Sequence, residues 1–307
     1  MIFDSLVIGA GPAGVTAALY LARFGLSVAL VERQSLGGLV LSTSEIENYP
    51  GFPKGIKGYE LADALEAHIA PYEAIQRLNG EVQSLDITGA VKCATIDNAP
   101  VEAKTVIIAS GVSYRKLGLP DEERLIGRGI SFCALCDGQF YKGKEVALIG
   151  GGNSALEEAL YLAKIVSKVH LVHRRDEFRA DKHYQERIRK QPNISLELSQ
   201  TISAVHGKEY LESLTLTHVK TGATKELAVF GLFVFVGFEP LSAFIPSEIR
   251  IDKKGFVVTD AEMCTSVPGV FAVGDIRSKL CRQVVTAVGD GATAANSAYL
   301  YLEQQHV

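Results

Sequence analysis

Phe3-Asp4-Ser5-Leu6-Val7-Ile8-Gly9-Ala10-Gly11-Pro12-Ala13-Gly14 opens the chain with a short apolar run that stops at glycines. From Ala13 to Phe24 apolar residues recur at helical spacing as far as Gly25, and Ser27 to Val31 forms a second apolar run. This succession predicts a β-α-β unit with the glycines where the first strand turns into the helix. In such a loop one glycine permits the tight turn, one lets a pyrophosphate approach the backbone, and one lets helix and strand pack closely. The helix start, with Pro12 and Ala13 in its first turn, adds amide donors and the positive end of the dipole. A glycine-rich turn without a ligand would carry the same three residues. Glu32 argues against that reading, because it ends the second run, where a carboxylate accepts hydrogen bonds from a ribose.

The pattern returns as Glu145 to Ile149, Asn153 to Ile165 and Lys168 to Val172, with Gly150-Gly151-Gly152-Asn153-Ser154-Ala155 as its loop. The offset that carries Gly9 to Gly150 carries Glu32 to His173, so the acid is replaced by His173-Arg174-Arg175, followed by Arg179. A carboxylate repels a 2′-phosphate, whereas guanidinium groups bind it with paired hydrogen bonds. The first loop therefore suits a dinucleotide such as FAD and the second suits NADP rather than NAD. A solvated basic helix start is the competing reading of the arginines. Gly289-Asp290-Gly291 with Ala294 fits a loose form of the pattern, but no apolar strand precedes it, and it is given no nucleotide role.

Two segments rich in Gly and Pro, Gly111 to Pro120 and Gly237 to Pro246, bracket the second unit. The expected organisation is an α/β chain of two Rossmann-like three-layer domains, the second inserted in the first. One would comprise residues 1–112 and 244–307, the other 113–243, and the bracketing segments are where a hinge would sit. The longest apolar run, Leu227 to Phe238, is too short for the ~20 residues of a membrane span and is expected to be one buried strand.

At 307 residues and 47% hydrophobic content the chain has the composition of a folded protein with its own core, which excludes disorder. Its 31 Lys and Arg against 35 Asp and Glu give a net charge of −4, so nothing points to nucleic acid or an anionic membrane. Asp4 stands where a signal peptide would be basic, and no targeting segment is expected.

Five cysteines are too few for a disulfide-stapled secreted fold, and Cys133-Ala134-Leu135-Cys136 is the only C-x-x-C. Cys93, Cys264 and Cys281 offer no second close pair for zinc, so no metal is expected. In a reducing cytosol a C-x-x-C works as a reversible dithiol, the second thiol resolving a mixed disulfide made by the first. An inert buried pair is the alternative. Asp137, next in sequence, is placed to exchange protons with a thiolate.

Together these segments resemble the low-molecular-weight bacterial thioredoxin reductases over essentially the whole chain. Besides the loops, the resemblance rests on Cys133 to Gly138, Gly37-Gly38, Glu47-Asn48-Tyr49-Pro50-Gly51, His173 to Arg179, and Gly274-Asp275 with Arg282-Gln283. It implies a cytoplasmic, homodimeric flavoprotein passing electrons from NADPH to FAD, to a Cys133–Cys136 disulfide, and on to a thioredoxin or thioredoxin-like protein. Cys136 would lie against the flavin, Cys133 would attack the partner's disulfide, and Asp137 would be the acid/base. FAD contacts would come from Gly9, Gly11, Pro12, Ala13, Gly14, Glu32, Gly38, Asn48, Gly111, Gly274, Asp275, Arg282 and Gln283. NADPH contacts would come from Gly152, Asn153, Ser154, His173, Arg174, Arg175 and Arg179.

Three positions depart from the family: Leu39 where a Gln is usual, Asn153 for a common Asp, and Ser110 for a common Thr. A reductase of another dithiol or disulfide partner would share every motif named, and a flavin-bearing redox sensor is the non-enzymatic alternative. The arginine cluster argues against the sensor, which needs no site for a hydride donor. A ferredoxin-fed variant would have a decayed nicotinamide site, and here that site is intact in sequence.

Overall fold

The computed structural model describes residues 1–42, 46 and 48–305, and of residues 42, 135 and 136 the backbone only. Glu47 and the side chain of Cys136, both singled out above, lie outside the described part. The chain divides into two compact units, one made of Met1–Ser113 with Glu239–Val307 and the other of Tyr114–Phe238.

The first unit runs β1 (Ile2–Ile8), α1 (Pro12–Arg23), β2 (Val28–Glu32), α2 (Gly58–Ile69), β3 (Ile75–Asn79), β4 (Val82–Asp86), β5 (Lys92–Ile96), β6 (Ala99–Ile108) and the start of β7 (Val112–Tyr114). β1 pairs in parallel with β2 and β6, and β2 in parallel with β3, whereas β4 and β5 add an antiparallel excursion on β6. Alternation along β1 decides the layers. Val7 enters the core under α1, with Leu21 and Ala17, while Leu6 and Ile8 enter the opposite core with Val82, Leu85 and Ile96.

The second unit continues with α3 (Glu122–Leu125), β8 (Ile130–Ser131), α4 (Ala134–Asp137), β9 (Glu145–Gly150), α5 (Asn153–Leu162), β10 (Lys168–His173), α6 (Lys182–Lys190) and β11 (Ile194–Leu198). There follow β12 (Gln200–His206), β13 (Ser213–His218), β14 (Thr224–Ala228) and β15 (Gly231–Phe235), and β16 (Phe238–Pro240) begins at the unit's last residue and continues into the first unit. Its parallel sheet has the order β11-β10-β9-β15-β8, and β12-β13-β14 form a separate antiparallel sheet. Leu148 and Val169 face the core with Leu156 and Ile188 of α5 and α6, while Ala147 and Val172 face the core with Ile202 and Leu214 of the antiparallel sheet. The unit is thus layered as helices, parallel sheet and antiparallel sheet.

The apolar run from Leu227 to Phe238 is not one strand but parts of three. β14 closes the antiparallel sheet, Phe230 turns out to solvent at 57% exposure, and β15 enters the middle of the parallel sheet. Gly231 starts β15 under the ring of Tyr141, where an added Cβ would lie 2.7 Å from a ring carbon.

The chain re-enters the first unit, where β17 (Val270–Ala272) pairs in parallel with β6 and α7 (Val284–Gln305) packs along α1. Gly291 allows that packing, since a Cβ there would come within 2.3 Å of the Ala13 carbonyl oxygen. Among the described residues no helix is long and apolar enough to cross a membrane.

Candidate active site

In the first unit Gly9 turns at φ +104° between β1 and α1, and a Cβ on Gly14 would strike the Gly9 carbonyl oxygen at 1.8 Å. Those two glycines serve the turn and the helix–strand contact. Gly11 is different: a Cβ there meets nothing nearer than the Gly37 carbonyl oxygen at 3.9 Å, which leaves the backbone open to a close-lying group. Pro12 and Ala13 are buried in the first turn of α1, whose N-cap is Gly11. Gly37 donates its N–H to the Ala10 carbonyl at 2.8 Å and Gly38 sits against Gly11, so two glycine-lined segments meet at the helix start.

Glu32 is fixed rather than loose. Its Oε2 accepts from the Ala10 amide at 2.9 Å and its Oε1 from the Gln34 amide at 3.0 Å. Beside it opens a pocket of about 240 Å³ lined by Ala10, Leu30, Gln34, Ser35, Arg77 and Asn79, among others. A carboxylate at the wall of such a pocket, next to amides at a helix start, matches the ribose and pyrophosphate of a dinucleotide.

At the far end of the unit Gly274 (φ +72°) turns the chain after β17 and brings Asp275 under the start of α7. Asp275 Oδ1 is buried without a hydrogen-bond partner. Burial pushes its carboxyl above the usual range, and the Lys279 and Arg282 cations pull it back. An unpaired buried acceptor is a costly feature that a hydroxyl-bearing ligand relieves. Arg282 spends its donors on the carbonyls of Asp275, Lys279 and Arg277 and lies 4.0 Å over the Phe256 ring, so it holds the turn itself. Gln283 accepts from Asn48 Nδ2 at 2.9 Å, joining two segments far apart in sequence. Gly111 turns at φ +69° into open space, and before it Ser110 Oγ donates to the Leu241 carbonyl at 2.8 Å, a bond a Thr would make equally.

In the second unit Cys133 is disulfide-bonded, whereas Cys93, Cys264 and Cys281 are free. Ser131, which the sequence reading missed, is the hub of this segment. Its buried hydroxyl donates to Asp137 Oδ2 at 2.6 Å and accepts from the Cys133 amide at 3.1 Å. The Asp137 amide in turn donates to the Cys133 carbonyl at 3.2 Å. A serine two residues before the first cysteine is a weak signal on its own, and only the fold shows what its hydroxyl holds.

Around the second glycine loop, Gly152 is open on its Cβ side, as Gly11 is in the first. Arg174, Arg175 and Arg179 are exposed, and among the described residues none of their guanidinium groups has an ion-pair partner. The segment is tied to the loop by the Arg179 amide, which donates to the Gly151 carbonyl at 2.8 Å. Asn153 exchanges hydrogen bonds of 2.8 Å with Asp181, its Nδ2 donating to the carboxylate and its Oδ1 accepting from the amide. An Asp at position 153 would repel Asp181, so the departure from the family pattern has a local cause.

His173 does not join the arginines as a cation. Its ring is buried against Gly151, stacks on Phe178 at 5.3 Å, and lies 3.1 Å from the Glu177 carbonyl, and burial pushes its pKa down. It supports the loop from within. Ser154 is exposed at the start of α5.

The sequence matches the pyridine nucleotide-disulphide oxidoreductase family over residues 3–291. A thioredoxin reductase of Peptoclostridium acidaminophilum is 41% identical over 308 residues, covering 98% of this chain and 98% of the relative. One of Treponema pallidum is 40% identical, covering 98% and 97%. The crystal structure of Lactococcus lactis thioredoxin reductase in its FR conformation superposes with a TM-score of 0.86 at 40% identity, covering 98% of this chain and 99% of that one. These matches imply the use of a flavin and of NAD(P). With two dinucleotide loops, a disulfide-bonded Cys133 and a match along nearly its full length, this chain is an oxidoreductase that belongs to the pyridine nucleotide-disulphide oxidoreductase family.

Proposed function

We propose that this protein is an NADPH-dependent thioredoxin reductase that carries electrons through FAD and a Cys133–Cys136 disulfide. The observation that carries the reading is the contrast between the loops: Glu32 is held by two amides beside a pocket, while three unpaired guanidinium groups flank the second loop. Bound FAD supplies the two-electron link between a nicotinamide and a disulfide. Gly11, Glu32, Gly38 and Asp275 orient it through open backbone and acceptor oxygens, and Arg282, Gln283 and Asn48 hold the surrounding turns. Arg174, Arg175 and Arg179 bind the 2′-phosphate and select NADPH. With a flavin bound, Cys136 would be the sulfur that takes up its electrons, and in the reduced pair Cys133 would attack the partner's disulfide, Cys136 then displacing the partner from the mixed disulfide. Asp137, its carboxylate fixed by Ser131, delivers or removes the proton that thiol chemistry requires.

The proposed substrate, a thioredoxin, is supported by relatives at about 40% identity, each a thioredoxin reductase, and a cytoplasmic homodimer is part of the same reading. The test is NADPH oxidation by purified protein with the host's thioredoxins supplied one at a time, after anaerobic titration of the flavin with NADPH. The expected result is a yellow protein bleached by NADPH and turnover with at least one thioredoxin. A colourless protein that takes up no FAD, or a flavoprotein idle with every thioredoxin, overturns the reading.

A further inference from the structure

Gly289-Asp290-Gly291 is the glycine motif left without a role in sequence. It lies inside α7, and Asp290 is 9% exposed. Its Oδ1 accepts from Arg277 Nη1 at 2.8 Å, and its Oδ2 accepts from Lys279 Nζ at 2.9 Å and from the Gly274 amide at 3.0 Å. Arg277 has further partners in Thr259 Oγ1 and the Asp260 carbonyl, and Lys279 also reaches Thr286 Oγ1 at 3.3 Å.

One residue beyond Gly274 stands Asp275, whose buried Oδ1 has no hydrogen-bond partner and lies 3.9 Å from the same Lys279 Nζ. Two carboxylates therefore flank one ammonium group, and the shorter contact belongs to Asp290. A charge-assisted N–H···O bond forms at about 2.7–2.9 Å, so a shift of roughly one ångström would close Lys279 onto Asp275. That closure would take up a lone pair of Oδ1 and draw the oxygen toward Lys279, weakening it as the acceptor for a ligand hydroxyl.

We propose that Asp290 is a positioning residue of the flavin site: by retaining Lys279 and the Gly274 amide it keeps Oδ1 of Asp275 free to accept a hydrogen bond from the cofactor. This rests on the reading of Asp275 as a flavin contact. Asp290 touches no ligand itself, and its effect passes through Lys279 and the turn at Gly274.

The test follows FAD release from the full-length protein on dilution, read by recovery of free-flavin fluorescence, with folding checked by circular dichroism. Asp290→Asn is expected to weaken FAD binding at least about tenfold, the equivalent of one charge-assisted hydrogen bond. Adding Lys279→Met to it should restore affinity to within about threefold of Lys279→Met alone, because no cation is left to close on Asp275. Adding Arg277→Met instead should not. Rescue by both would mean that Asp290 only neutralises buried charge, and it would overturn the proposal, as would wild-type FAD retention in Asp290→Asn. Should Asp290→Asn fail to fold, Lys279→Arg decides with Asp290 intact. Its longer, forked cation reaches both carboxylates and is expected to weaken FAD about fivefold or more, and unchanged affinity overturns the proposal. A wild-type protein that holds no FAD at all overturns the underlying reading of Asp275 instead.

Discussion

The three guanidinium groups beside the second loop are exposed and have no ion-pair partner among the described residues, which leaves them available for a phosphate. Replacing Arg174, Arg175 and Arg179 with neutral residues should raise the KM for NADPH and leave NADH use little changed. Each charge-assisted contact is worth about 1.5–3 kcal/mol, or roughly tenfold or more in binding. Steady-state kinetics with both nucleotides checks this, and a wild-type preference for NADH would overturn the charge argument. The exposed arginines beside the second loop stand out in sequence because a charge inversion at matched positions of two repeats is a contrast within one sequence. His173 is harder to read, because its type fits both a phosphate contact and a buried prop, and sequence does not show that its ring is buried against Gly151. At the dithiol, Cys136→Ser should keep flavin reduction by NADPH and lose thioredoxin reduction, and Cys133→Ser should also lose turnover. Stopped-flow bleaching of the flavin next to a thioredoxin assay separates the two steps, and thioredoxin reduction retained in either variant would refute the relay.

Among the elements, α5 carries a carboxyl that hydrophobic spacing could have flagged. Glu158 falls three residues after Ala155 and four before Leu162, on the buried face of the helix, and its Oε2 is buried without a partner. Burial, reinforced by the neighbouring Glu157, pushes its pKa from 4.5 to about 7. Between those values the folded chain holds a proton that the unfolded chain has released. Stability should therefore fall as pH rises from about 4.5 to about 7, by up to about 1.4 kcal/mol per pH unit, and level off above. Glu158→Gln should flatten that slope, raising the Tm at pH 8 and leaving it nearly unchanged at pH 5. Parallel Tm–pH curves for the two proteins would show that the carboxyl does not titrate as its burial requires. The two β-α-β units were readable because strand, glycine turn and helix are local events. The split of Leu227 to Phe238 was hidden, because apolar content alone does not reveal that Phe230 turns outward between a sheet-edge strand and a central one. The antiparallel β12-β13-β14 sheet was harder to see: β13 alternates, with Leu214 and Leu216 buried, but its neighbour β14 is mostly exposed and β12 carries only a partial alternation.

At the scale of the whole molecule, the two loops fall in different compact units, and each core cluster among the described residues draws on one unit only. A ligand stabilises what it binds by RT ln(1 + [L]/Kd), about 2.7 kcal/mol at a hundredfold excess over Kd. If FAD binds the Glu32 loop and NADP⁺ the Arg174 loop, calorimetry of the flavin-free full chain should show two transitions that respond separately. FAD should raise one by roughly 5–15 °C, and NADP⁺ should raise the other by a similar amount. The assignment is made by variants rather than by order of melting. Glu32→Ala should abolish the response to FAD alone, and Arg174→Ala with Arg175→Ala the response to NADP⁺ alone. A chain that melts in one transition moved by either ligand would mean that the units unfold as one body. Loss of the FAD response in the arginine variant would mean that the loops were assigned to the wrong nucleotides. One acid and one cluster of arginines suggest one nucleotide for each loop, and separate melting responses are the physical form that assignment takes in a protein whose two units share no core cluster among the described residues.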